Sequence, residues 1–211
     1  MKQENRLYER AYQLSLFTIF YNIIEGILSM IMGYKDETLT LFGFGIDSFI
    51  EVISGIGIAM MIMRIRKNPN SQIDKFEIKA LKITGYSFYI LSIGLLIGVV
   101  LNIYFKHKPE TTLWGVVISL VSIIIMIWLM ISKRNIGKQL NSEPILSDSN
   151  CTKICIYMSI ILLLSSLIYE LTGFVYADTI GTLGLIYFSI KEGKEAFEKA
   201  QGKSCCNNCS C

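Results

Sequence analysis

The sequence predicts an all-α membrane protein with six transmembrane helices and both termini in the cytoplasm. Three observations predict it. Of 211 residues, 52% are hydrophobic and only 18% are charged, where a soluble domain carries about a quarter charged; mean hydropathy is +0.48. The charges are also clumped: Ile83–Phe105 is 23 residues without Asp, Glu, Lys or Arg, and Leu113–Ser132 is 20 more. A helix needs about 20 apolar residues to cross hydrocarbon, so either stretch is long enough. Finally, the basic residues fall on alternate sides of the apolar stretches, which gives the chain a direction.

Taken in order, the spans are Leu14–Gly33, Leu39–Met63, Ile83–Phe105, Leu113–Ser132, Pro144–Tyr169 and Phe174–Ile190. Only Leu171, Thr172 and Gly173 separate the last two. Residues 154–190 taken as one segment are too long for a single crossing, so the glycine marks a tight helical hairpin at the membrane surface. With the N-terminus inside, sixteen basic residues lie on the cytoplasmic side. They are Lys2, Arg6, Arg10, then Arg64, Arg66, Lys67, Lys75, Lys79, Lys82, then Lys133, Arg134, Lys138, and in the tail Lys191, Lys194, Lys199, Lys203. Lys35, Lys106 and Lys108 face the other side, and Lys153 starts span five. That asymmetry satisfies the positive-inside rule; five spans would place the tail lysines outside.

The chain therefore divides into a cytoplasmic segment 1–13, a six-helix domain 14–190 and a cytoplasmic tail 191–211. No cleavable signal peptide is expected, because Glu4 and Glu9 interrupt the basic N-terminus and no small-residue cleavage site follows the first apolar stretch. Residues 64–82 are expected to form a loop, with a turn at Asn68-Pro69-Asn70-Ser71 and then a short amphipathic stretch. A net charge of +3 speaks against nucleic acid as a partner; the lipid bilayer is the expected one. The expected location is multi-pass, in a prokaryotic plasma membrane.

Ionisable groups inside the spans carry the functional information, since each costs about 2.5–3.5 kcal/mol at a helix centre on insertion scales. Span two holds Asp47 and Glu51, at i and i+4, so both carboxylates lie on one helical face. Span five holds Cys151 and Cys155 at the same spacing. Span two runs inward and span five outward, so the pairs are expected to meet at similar depth. Two carboxylates and two thiols suit a tetrahedral Zn²⁺, and thiolates favour softer ions such as Cd²⁺. Free cysteines are usually small apolar filler; the repeated spacing is what weighs against filler here.

Asn22 and Glu25 in span one fit either an accessory metal or proton path, or a structural hydrogen-bonding pair between helices. Glu170 and Asp178 flank the hairpin and are expected to face the surface. His107 is expected on a solvated outer loop, and Gly94 with Gly98 reads as a close-packing pair. The end of the tail carries Cys205, Cys206, Cys209 and Cys211. Such thiol tracts bind metal more often than they are lipidated, and no apolar residues flank these cysteines.

The stretch Leu41-Phe42-Gly43-Phe44-Gly45-Ile46-Asp47-Ser48-Phe49-Ile50-Glu51 resembles the second helix of the cation diffusion facilitators, where two acidic or acidic/His ligands stand four residues apart. Asn22–Gly33 is similar to that family's first helix. Ser147–Cys155 resembles its fifth, whose usual ligands are His and Asp. Ala177-Asp178-Thr179-Ile180 with Ile190-Lys191-Glu192-Gly193 resembles its sixth. The resemblance implies a homodimeric secondary transporter, not an enzyme, that exports a divalent cation from the cytoplasm in exchange for protons. It also implies a short member without the family's cytoplasmic C-terminal domain. Cys151 and Cys155 stand where His and Asp are usual, which tilts the expected cargo toward Zn²⁺ or a softer ion. Two other readings stay open: a membrane metal sensor or chaperone without turnover, and a structural membrane protein.

Overall fold

The computed structural model describes residues 2–67, 75–105 and 111–201. They form six helices: α1 (Lys2–Lys35), α2 (Leu39–Lys67), α3 (Lys75–Phe105), α4 (Leu113–Leu140), α5 (Glu143–Thr172) and α6 (Ala177–Ala200), with no strand among the described residues. All six expected spans are there, and most run well past their apolar limits. Polar and basic residues continue a helix for a turn or more outside hydrocarbon, because the backbone hydrogen bonds favour continuation. For the same reason most of the expected 64–82 loop is helical, as the end of α2 and the start of α3. The turn at 68–71, His107 and the cysteines at 205–211 lie outside the described residues.

Five helices are long and apolar enough to cross a membrane, over Arg6–Lys35, Leu39–Arg66, Leu81–Phe105, Leu113–Leu140 and Asp148–Thr172. α6 falls short because Lys191, Glu192, Lys194, Glu195, Glu198 and Lys199 crowd its second half. It nonetheless runs through the bundle antiparallel to α3. Its first turn meets the start of α2, and Phe197 packs its ring on Tyr86 and Tyr89 near the start of α3. The link from α5 to α6 turns on Gly173, whose φ of 64° is the left-handed conformation that favours glycine and whose N–H closes the helix on Tyr169.

Close approach of α1 and α2 sets the geometry that matters later. A Cβ on Gly33 would meet the backbone of Phe42, and one on Gly45 would meet Met30 and the carbonyl of Gly26. Small residues let two backbones pack where apolar side chains gain little by leaving lipid. The expected Gly94–Gly98 pair divides: a Cβ on Gly98 would meet Leu39, whereas one on Gly94 would meet nothing within 4 Å among the described residues. A core of Leu41, Phe44, Leu91, Leu95, Leu162 and Leu185 joins α2, α3, α5 and α6. Outside, Phe20, Ile90 and Ile124 are well over half exposed; such an apolar surface is stable facing lipid and a liability in water.

Asp178 corrects the surface-facing expectation. It is only 1% exposed, and its carboxylate accepts the N–H groups of Leu39 (3.0 Å) and Thr40 (3.1 Å). The first turn of any helix leaves N–H donors without intrahelical partners, and here α6 supplies the cap for α2. Thr40 in turn donates its hydroxyl to the Asp178 carbonyl at 2.6 Å. Glu170 is exposed as expected, yet it accepts from the N–H of Thr112 at the start of α4.

Candidate cation site

Glycine packing brings the polar residues of α1 against those of α2. Asn22 Nδ2 donates to Glu51 Oε2 at 2.8 Å, and the thiol of Cys155 on α5 donates to Glu51 Oε1. Three helices thus converge on one carboxylate. The antiparallel run of α2 and α5 places Glu51 and Cys155 at the same depth.

Asp47 lies one turn farther into the bundle, 2% exposed. Its Oδ1 is buried with no hydrogen-bond partner among the described residues, and the same holds for Asn22 Oδ1. Buried acceptors without a donor are rare and costly, and they mark places where a donor or a cation belongs. Glu51, Glu192 and Glu25 all act on Asp47 electrostatically, so Asp47 lies among other carboxyl groups.

Glu25 is differently placed. Tyr21 Oη donates to its Oε1 at 2.7 Å and Ser48 Oγ to its Oε2 at 3.2 Å, and Ser122 of α4 also bonds it. Those partners tie α1 to α2 and α4, and neither Glu25 nor Asp47 lines the cavity that Asn22 and Glu51 share.

That cavity is narrow, with a volume of about 50 Å³. Its wall runs from Asn22, Glu51 and Cys155 to Ser15, Ile58, Leu81 and Lys199. Asn22 and Glu51 lie near the middle of their helices, and the rest belong to the half of the bundle where α1, α3 and α5 start and α2, α4 and α6 end, the half that carries most of the basic residues. Cys151 is on the wall one turn nearer the mouth, and Lys199 Nζ donates to its sulfur at 2.6 Å. Lys133, one of the basic residues assigned to the cytoplasmic side, is buried: its ammonium reaches Asp148 at 3.1 Å and Thr152 at 3.2 Å. This pair clamps α4 to α5 beside the cavity.

As the side chains stand, no three His, Cys, Asp or Glu donors among the described residues are gathered closely enough to hold a metal ion. The candidate ligands form two groups: Asp47, Glu51 and Cys155 at depth, and Cys151 with Lys199 toward the mouth. Sequence reasoning missed Glu192 and Lys199, both on the cavity wall. Their seven-residue spacing, two turns on one face of α6, was the available signal.

No curated protein matches the chain. The family model of the cation efflux transmembrane domain matches residues 15–200, which takes in α1 from Ser15 on, the other five helices and every residue of the cavity wall. The chain belongs to the cation efflux family of membrane cation transporters.

Proposed function

We propose that this protein carries Zn²⁺ or a related thiophilic ion such as Cd²⁺ out of the cytoplasm, exchanging it for protons, through a site made by Asp47, Glu51, Cys151 and Cys155. The observation that carries this reading is the partnerless oxygen of buried Asp47, one turn beyond a carboxylate already held by a cysteine thiol and an amide. A divalent cation supplies the charge that this group of acceptors lacks. Two oxygen and two sulfur donors satisfy tetrahedral coordination. Cys151 joins the site when its sulfur turns from Lys199.

Direction follows from topology. The positive-inside rule assigns the basic half of the bundle to the cytoplasm, so the cavity receives its ion there. On this assignment α6 is the sixth crossing and both termini are cytoplasmic. Thiols and carboxylates must lose protons to bind metal, so metal and protons compete for one set of atoms, which suffices for antiport. The cysteines at 205, 206, 209 and 211 are proposed to capture metal for delivery. Pairing into a homodimer rests on family resemblance.

The test is uptake into proteoliposomes across a panel of Zn²⁺, Cd²⁺, Co²⁺, Mn²⁺ and Fe²⁺, with and without a pH gradient. Zn²⁺ and Cd²⁺ should move fastest, and collapsing the gradient should slow them. Binding without flux of any ion would replace the transporter with a metal sensor or chaperone.

A further inference from the structure

Cys151, Glu192 and Lys199 form a second polar group on the cavity wall, nearer the mouth than Glu51. Lys199 Nζ lies 2.6 Å from the Cys151 sulfur. Its charge also acts on Glu192, whose Oε1 is buried without a hydrogen-bond partner among the described residues. Glu192 and Lys199 come from α6, and Cys151 from α5. The donors therefore converge from two helices on space already reached by a positive charge.

An ammonium beside a sulfur donor and near a carboxylate occupies the surroundings that a thiophilic divalent cation would choose. A sulfur and an oxygen donor, completed by water, suit such an ion. We infer that Cys151 and Glu192 form a receiving site for the incoming cation at the cavity mouth, and that Lys199 is a tethered cation holding this site until the metal displaces it. The inference rests on the transport reading above and adds Glu192 as a ligand and Lys199 as a competitor.

Displacement has a direct consequence. When the metal arrives, the Cys151 thiol releases its proton to cavity water and the Lys199 ammonium swings toward the mouth, where it stays charged. Cys151 is then free to rotate toward Glu51 and Cys155. Lys199 keeps the site from standing as an unneutralised group of acceptors in the resting protein, and it raises the metal concentration needed to load it.

The experiment compares wild-type, Lys199→Met, Glu192→Gln and Glu51→Gln proteins in detergent and in proteoliposomes, using Zn²⁺ alone as probe. Equilibrium binding is read by competition with a fluorescent zinc chelator, and flux by KM and maximal rate. Lys199→Met should bind Zn²⁺ about tenfold more tightly with a lower KM, the scale of removing one partly solvated like charge. Glu192→Gln should bind Zn²⁺ more weakly and raise KM. The Cys151 thiol should alkylate more slowly in Lys199→Met, which removes the ammonium that favours the thiolate, and Zn²⁺ should protect it in wild type. An unchanged Zn²⁺ affinity in Lys199→Met, with Glu51→Gln still abolishing flux, would overturn this inference and leave the transport site standing. Flux unaffected by Glu51→Gln would instead overturn the transport site. Should Lys199→Met fail to insert, Lys199→Gln carries the same expectation, with weaker or equal binding as the overturning result.

Discussion

Asp47 and Asp178 are two aspartates buried to the same degree, 2% and 1% exposed, and their surroundings are opposite. Asp178 reaches two backbone N–H groups at the start of α2, and its charge is answered by donors that the fold builds in. Asp47 is eight residues along that same helix, with one oxygen that meets no donor among the described residues and three carboxylates acting on it. A hydrogen-bonded buried carboxylate is part of the structure. An unanswered one makes sense only with a partner that comes and goes, since leaving it unmade costs a few kcal/mol in every resting molecule. Burial alone thus separates nothing, and the difference lies in where the donors come from.

The sharpest way to break this contrast is to neutralise each aspartate in turn. Asp47→Asn should lower flux by more than the roughly 10–100-fold that even outer partners of metal ligands cost. Its thermal unfolding in detergent should stay at or above that of wild type, because the change removes an unpaired charge. Wild-type flux would show that Asp47 is not a ligand. Asp178→Ala should do the reverse. Losing two charge-assisted hydrogen bonds should cost about 1–3 kcal/mol of stability, visible as a lower unfolding midpoint, while flux per folded molecule falls only modestly. A large loss of flux with an unchanged midpoint would place Asp178 in the transport path and erase the distinction.

Most of the fold was legible because a membrane demands uniform apolar lengths. Six stretches of roughly twenty residues and their flanking lysines predicted six helices, and the antiparallel order of α2 and α5 predicted that Glu51 and Cys155 meet. What escaped reading depends on partners distant in sequence. Asp178 caps a helix that starts 139 residues earlier, so local polarity made it look like a surface residue. Lys133 ends an apolar run and reads as an interface lysine; only its contact with Asp148 shows that it is buried. Glu192 and Lys199 lie beyond the apolar half of α6, where charge ordinarily signals solvent. There the bundle closes around the cavity, and charge acquires another meaning.

The smallest expected effect concerns the cysteines, and it asks whether the answer to Asp47's charge is specific for soft ions. The double variant Cys151→His, Cys155→Asp restores the ligand types usual in cation diffusion facilitators at the same helical spacing. Imidazole still suits Zn²⁺, and carboxylate accepts harder ions such as Mn²⁺, whereas losing two thiolates weakens the preference for Cd²⁺. Position 155 faces Glu51 directly, so an aspartate there places two carboxylates together and makes the resting site more dependent on a cation or proton. The variant should therefore still transport, with a Cd²⁺-to-Zn²⁺ ratio several-fold lower than wild type when both ions compete in vesicles of equal protein content. Its flux should also depend more steeply on the pH gradient. An unchanged ratio would mean that neither sulfur touches the ion, leaving Asp47 and Glu51 to bind it with other donors from the cavity wall.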